Sequence, residues 1–187
     1  TADRAIPCVR VRPPAVRSDA RMIYLHGGGW CVGASETTHG AILRWLAVEA
    51  ECEVIGADYA LAPEHPYPAA LADVRAVVEW AQAAPDAASR CLVLAGDSAG
   101  ANLALVDAID RRDAGLQPVS GLLLFYGTYG PVRRTGSFAR FGGGRYGLTL
   151  AALDRYAEAY APGGATRHDR RVSPLLAELA RLPPTHL

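Results

Sequence analysis

The chain has 187 residues, half of them hydrophobic and a fifth charged. That is material for one packed α/β or α+β domain, and it excludes a disordered chain. Nineteen basic residues balance nineteen acidic ones, which removes the electrostatic case for nucleic acid or an anionic membrane as partner.

No apolar run reaches the roughly eighteen residues of a membrane span. Thr1 to Arg12 lack the charged-then-apolar plan of a signal peptide. All nineteen basic residues are Arg and none is Lys, a bias we read as compositional. Cys8, Cys31, Cys52 and Cys91 are widely spaced, with no C-x-x-C pair. They are expected to be buried free thiols, not disulfides or a metal site, which points to a cytoplasmic setting.

Short apolar runs alternate with helical patterns along the chain. Val9 and Val11 alternate with Arg10 and Arg12, as in a half-exposed edge strand. Met22 to Leu25 reads as a buried strand running into Gly27-Gly28-Gly29. From His39 to Ala50, Ile42, Leu43 and Leu46 follow helical spacing. Cys52 to Ala57 predicts a second buried strand, followed by a Pro-rich loop from Ala62 to Pro68. Leu71, Val74, Val78 and Ala81 predict an amphipathic helix that stops before Pro85. Cys91 to Ala95 is a third strand, with a Gly96-to-Gly100 turn and then a helix to about Arg112. Gly121 to Tyr126 is a fourth. A Gly- and Arg-rich connection, Gly127 to Gly147, precedes a helix from Thr149 to Tyr160. This alternation predicts a mostly parallel sheet with helices on both faces, whose functional residues lie beyond the carboxyl ends of the strands.

Gly96-Asp97-Ser98-Ala99-Gly100 fits G-x-S-x-G between a strand and a helix. That reversal lifts a serine hydroxyl clear of the sheet, and glycine is needed on either side because a side chain would strike neighbouring backbone. The helix N-terminus adds its positive dipole end and free N–H groups. A plain helix N-cap serine is the alternative. The strand before Ser98 and the small-residue helix after it favour a nucleophile.

His26-Gly27-Gly28-Gly29-Trp30 also follows a strand. Its glycines can turn backbone N–H groups into a cavity, where they would meet the oxyanion of a tetrahedral intermediate. Ala99 should add a further donor. A phosphate loop would require G-x-x-x-x-G-K-[ST], and the chain has no Lys. His26 sits at the strand end and reads as a structural residue that hydrogen-bonds the loop. Trp30 and Tyr126 are expected either to line the pocket beside Ser98 or, as aromatics beside a core, to pack into it.

Together these segments resemble the hormone-sensitive-lipase-like branch of the α/β-hydrolases, the carboxylesterases with an HGGG loop and a GDSAG elbow. Asp58 to Glu64, followed by Pro66-Tyr67-Pro68-Ala69-Ala70, is similar to that family's Y-x-L-A-P-E-x-x-x-P-A-A stretch, a structural turn behind the oxyanion loop that contains Glu64. Leu124 to Gly127, Gly147 to Thr149 and Ser173 to Leu175 resemble its bacterial acetyl-esterase members. The resemblance implies an α/β-hydrolase fold, Ser98 as nucleophile, and Gly28, Gly29 and Ala99 as oxyanion donors. It also implies hydrolysis of a small carboxylic ester through an acyl-enzyme, without metal or organic cofactor.

The family's later D-P-L and H-G-F motifs, which carry the acid and the base, do not occur here. His168 falls in a polar loop spanning 166–171, and His186 lies at the start of a late strand, on the wrong end of the sheet. Asp107, Asp110 and Asp113 read as a solvated helix face. Residues 1–187 are therefore expected to be a partial α/β-hydrolase domain, without the N-terminal cap helices or the Asp- and His-bearing C-terminal segment, and inactive alone. Two other functions remain open: a non-catalytic receptor of the kind that plant gibberellin receptors represent, and an arylformamidase-like amide hydrolase suggested by H-G-G-x-W. Oligomeric state is not encoded in any readable pattern.

Overall fold

A computed structural model describes residues 4–85, 91–130, 135–163 and 168–187. Residues 131–134 of the Gly- and Arg-rich connection, and 166–167 of the polar loop, lie outside that description. Six strands form one sheet: β1 (Cys8–Val11), β2 (Ala20–Leu25), β3 (Glu53–Ala57), β4 (Cys91–Asp97), β5 (Gly121–Phe125) and β6 (Thr185–His186). Their spatial order is β1-β3-β2-β4-β5-β6, and all pairs are parallel except the antiparallel edge pair β1–β3. This is the mostly parallel sheet that the alternation of strands and helices predicts.

The helices are α1 (Gly40–Glu49), α2 (Ala69–Ala83), α3 (Ala99–Asp113), α4 (Gly136–Phe141) and α5 (Leu150–Tyr160). Side chains alternate across the sheet, as the two-residue period of a strand demands. Met22 and Tyr24 face α1, where they pack with Leu43, Leu46 and Val54. Ile23 and Leu25 face the other side, against Val74 and Val78 of α2 and Leu103 and Ile109 of α3. The short α4 was not apparent in the sequence, because the glycines around it mask any apolar period. Among the described residues, no helix is long and apolar enough to cross a membrane.

Two expectations need correction. The four cysteines are free, but only Cys52 is buried; Cys31 is intermediate, and Cys8 and Cys91 are exposed at the first positions of their strands. Asp107 is also not on a solvated face. It is 4% exposed and bonded at 2.7 Å to Arg111, itself 1% exposed. The reason is that α3 is enclosed on nearly every side, so one polar pair of its final turns falls inside the fold. Arg111 also reaches the Gln82 side-chain oxygen of α2 at 3.0 Å. Burial pushes the Asp107 carboxyl up, against the pull of Arg111. Asp110 and Asp113 do lie toward solvent, where Arg170, Arg171 and Arg112 pair with them.

At the amino ends of the strands, Glu53 is 1% exposed and accepts bonds from Arg10, Arg12 and Arg21 at 2.5, 2.7 and 2.7 Å. Burial alone would raise its carboxyl, but the three guanidinium bonds outweigh that and bring it down to about 2.

Two outcomes follow. A carboxyl depressed in the folded state stabilises above its unfolded pKa, and that stability is lost as protonation sets in. Stability should therefore fall as pH drops from about 4.5 toward 2, and Glu53→Gln should flatten that part of a urea-denaturation profile. Separately, Arg111→Ala leaves a buried carboxylate unpaired and should cost about 3–5 kcal/mol. A double replacement by Leu at 107 and Met at 111 should recover most of it.

Candidate active site

β4 ends at Asp97, and Ser98 stands between it and the first turn of α3. Its backbone lies at φ 51° and ψ −113°, a strained conformation that a non-glycine residue adopts only when its surroundings impose it. Here they do: the Ser98 N–H donates to the Phe125 carbonyl at 2.8 Å. A Cβ on Gly96 would stand 2.6 Å from the Leu25 oxygen, and one on Gly100 would fall inside that same carbonyl. The elbow thus rests directly on the end of β2, with α3 pointing its N-terminal dipole at the serine.

The glycine loop leaves β2 beside this elbow. Gly28 and Gly29 take φ of 126° and 59°, followed by Trp30 at 61°. The Gly28 carbonyl accepts from the N–H groups of both Cys31 and Val32 at 3.1 Å, closing a tight turn. Behind it, Ala62 N–H donates to the Trp30 carbonyl at 2.9 Å, which ties the 61–68 turn to the loop. From the far side, the Tyr156 ring of α5 lies flat against Gly29 and leaves no room for a side chain there.

One carboxylate joins loop and elbow. Asp97 Oδ1 accepts from the Gly27 N–H at 2.8 Å and from the Tyr24 hydroxyl at 3.0 Å, and lies 3.1 Å from His39 Nε2. Burial opposes the charge on Asp97, but the His39, Tyr24 and Gly27 bonds prevail and hold the carboxyl below its usual range. The Tyr24 phenol is pushed up by burial and by the same carboxylate.

His26 is 1% exposed, stacked on Tyr59 at 4.5 Å, with Nδ1 2.7 Å from the Gly27 carbonyl. A carbonyl only accepts, so Nδ1 carries the proton. Burial lowers the pKa of the imidazole. The ring braces the loop from below and does not face the serine.

Ser98, Ala99, Gly28 and Gly29 thus lie together at the carboxyl end of the central strands. Tyr126 follows β5 on that rim, 78% exposed, its phenol pushed up by burial and by the Asp97 carboxylate. Of the two readings of Trp30 the structure takes the packing one, not the pocket wall: the residue is 4% exposed and stacks on Tyr160 at 4.6 Å and 7°. Its left-handed backbone turns the indole down into the core. Glu64 is exposed on the turn behind the loop. His168 is exposed, and His186 lies exposed on β6 beside Leu123. Among the described residues, no histidine hydrogen-bonds the Ser98 hydroxyl, and no group of three His, Cys, Asp or Glu side chains could hold a metal ion.

Sequence reasoning missed His39, which it read only as the start of a helix. Its one signal was a histidine at a helix start shortly after the glycine loop. Asp58 and Asp73 were missed as well: they accept the Ser35 and Ala60 N–H groups at 2.6 and 2.8 Å and hold the loops around the site.

Comparison with known proteins places these features in context. Residues 22–187 match the alpha/beta hydrolase fold family. The acetyl esterase of Salmonella paratyphi B is 41% identical over 156 residues, covering 81% of this chain and 48% of the relative. That of Salmonella typhi is similar to the same extent. The chain therefore spans about half the length of the curated relatives it matches. Among solved structures, an ester hydrolase from the metagenome of Lake Arreo, in complex with a derivative of bipyridine phosphonate, is 36% identical. Its TM-score is 0.87, over 96% of this chain and 58% of that one. A hyperthermophilic esterase from the archaeon Pyrobaculum calidifontis is 33% identical, with TM-score 0.88, over 96% and 59%.

The space at Gly27 gives a direct test. A methyl group there would collide with the Asp97 carboxylate. Gly27→Ala should cost about 1–3 kcal/mol, read as a thermal midpoint lowered by roughly 3–10 °C.

Proposed function

The chain belongs to the α/β-hydrolase fold family, and from that premise we propose that it carries the nucleophile and oxyanion loop of a serine carboxylesterase acting on small, short-acyl esters of acetyl type. The carrying observation is the strained Ser98 elbow, held against the Gly27–Gly29 loop by Asp97. Esterases among the relatives and structural neighbours support the reading.

In this reading Ser98 Oγ attacks the ester carbonyl and loses its proton to a general base. The carbonyl oxygen takes up negative charge between the N–H groups of Gly28, Gly29 and Ala99. The tetrahedral intermediate collapses, the alcohol departs with the proton that the base returns, and an acyl group remains on Ser98. Water, activated by the same base, then releases the carboxylic acid and restores the hydroxyl. Among the described residues no histidine hydrogen-bonds the Ser98 hydroxyl, and in this reading the acid and base are supplied by a segment not among these 187 residues. Without them Ser98 is an ordinary alcohol, and the expected outcome for the chain alone is no turnover. No step calls for a metal or organic cofactor. The free cysteines support a cytoplasmic site of action.

In the full-length protein, a fluorophosphonate should label Ser98, and Ser98→Ala should abolish both labelling and turnover of p-nitrophenyl acetate. The loss should be at least about 10⁴-fold in kcat. Turnover should fall as the acyl chain lengthens, and N-formylkynurenine should be a poor substrate. Absence of a Ser98 adduct would overturn the esterase reading and favour a non-catalytic receptor.

A further inference from the structure

We propose that His39 is a positioning residue for the oxyanion loop, acting through Asp97. The inference rests on the serine-esterase reading. Three groups meet at one Asp97 oxygen: Gly27 N–H donates at 2.8 Å, the Tyr24 hydroxyl donates at 3.0 Å, and His39 Nε2 lies 3.1 Å away, itself 3.3 Å from the Gly27 nitrogen. Tyr24 and Gly27 both belong to β2 and the loop it feeds. His39 comes from the start of α1, so it ties the elbow to a different part of the fold.

The ring is well held. Its side chain is 18% exposed, with the Tyr24 and His26 rings 6.2 and 5.5 Å away. Nδ1 lies 2.7 Å from the Thr38 hydroxyl, which accepts the Ala34 N–H at 2.9 Å. A continuous line of polar contacts thus runs from the 34–38 turn through Thr38, His39 and Asp97 to the Gly27 peptide. That peptide directly precedes Gly28, one of the proposed oxyanion donors.

Gly27 has no side chain to fix its own orientation, so the peptide depends on the Asp97 carboxylate and the His39 ring that its N–H meets at 2.8 and 3.3 Å. Without His39 the Asp97 oxygen keeps the Gly27 and Tyr24 bonds of the β2 side, the Gly27 N–H loses its contact with the ring, and the peptide is freer to tilt. The Gly28 N–H then meets the oxyanion off line. Charge on that oxygen is largest in the transition state, so the error appears in kcat more than in KM.

The test uses the full-length protein and three variants: His39→Phe, His39→Gln and Thr38→Val. His39→Phe keeps a ring but no donor, and should lower kcat about tenfold or more with KM within about twofold. Fluorophosphonate labelling of Ser98 should slow in proportion. His39→Gln retains an N–H that reaches Asp97 and should recover most of the loss. Thr38→Val should show a smaller loss in the same direction. Wild-type kcat and labelling in His39→Phe would overturn the role, as would equal losses in the Phe and Gln variants with unchanged labelling. Should His39→Phe fail to fold, unchanged kcat in Thr38→Val overturns it. A wild-type protein that does not label at Ser98 removes the esterase reading itself, and this inference with it.

Discussion

The backbone of the elbow lies directly on the backbone of β2, and this contact governs the rest of the site. Gly96 and Gly100 approach the Leu25 carbonyl so closely that no side chain fits at either position. Two parallel strands and the first turn of α3 are thereby locked at van der Waals distance. Ser98 has no alternative to its left-handed conformation, and the glycine loop leaving Leu25 must pass within hydrogen-bond reach of Asp97. One carboxylate then organises the loop from below. Its desolvation would be costly without partners, and the Gly27 and Tyr24 donors and the His39 ring beside Oδ1 supply them.

Two other buried charge clusters lie away from that end of the sheet. Glu53 and its three arginines lie at the opposite, amino end of the strands. Asp107 and Arg111 close the contact between α2 and α3, behind the sheet. Guanidinium suits these places. It forms several directional bonds at once and remains charged when enclosed, whereas an ammonium is strongly hydrated and resists burial. A chain with Arg alone as its cation can therefore afford buried ion pairs that lysine would serve less well.

Much of the architecture was readable from residue patterns. Period-two alternation and the helical spacing of Val74, Val78 and Ala81 located the sheet and its flanking helices. The elbow and the glycine loop were readable because both demand glycine at fixed places, and few other residues satisfy that demand. What was not readable depended on contacts between distant segments. Asp107 carried no sign of burial, since only the packing of α2 onto α3 encloses it. Trp30 next to a glycine loop suggested a pocket wall, until the loop's left-handed turn directed the indole onto Tyr160. His39 left no trace because its partner lies fifty-eight positions further along the chain.

A nucleophile placed by backbone-on-backbone contact has a consequence for how such a protein can diversify. Positions 96 and 100 admit no substitution, and the residues beneath the loop are committed to one another. Variation in what the site accepts must therefore enter from its rim, through side chains that touch the cleft without supporting it. Tyr126, 78% exposed beyond β5, and the surface of α5 above Gly29 are such places. The fold separates a part that cannot drift from a part that can.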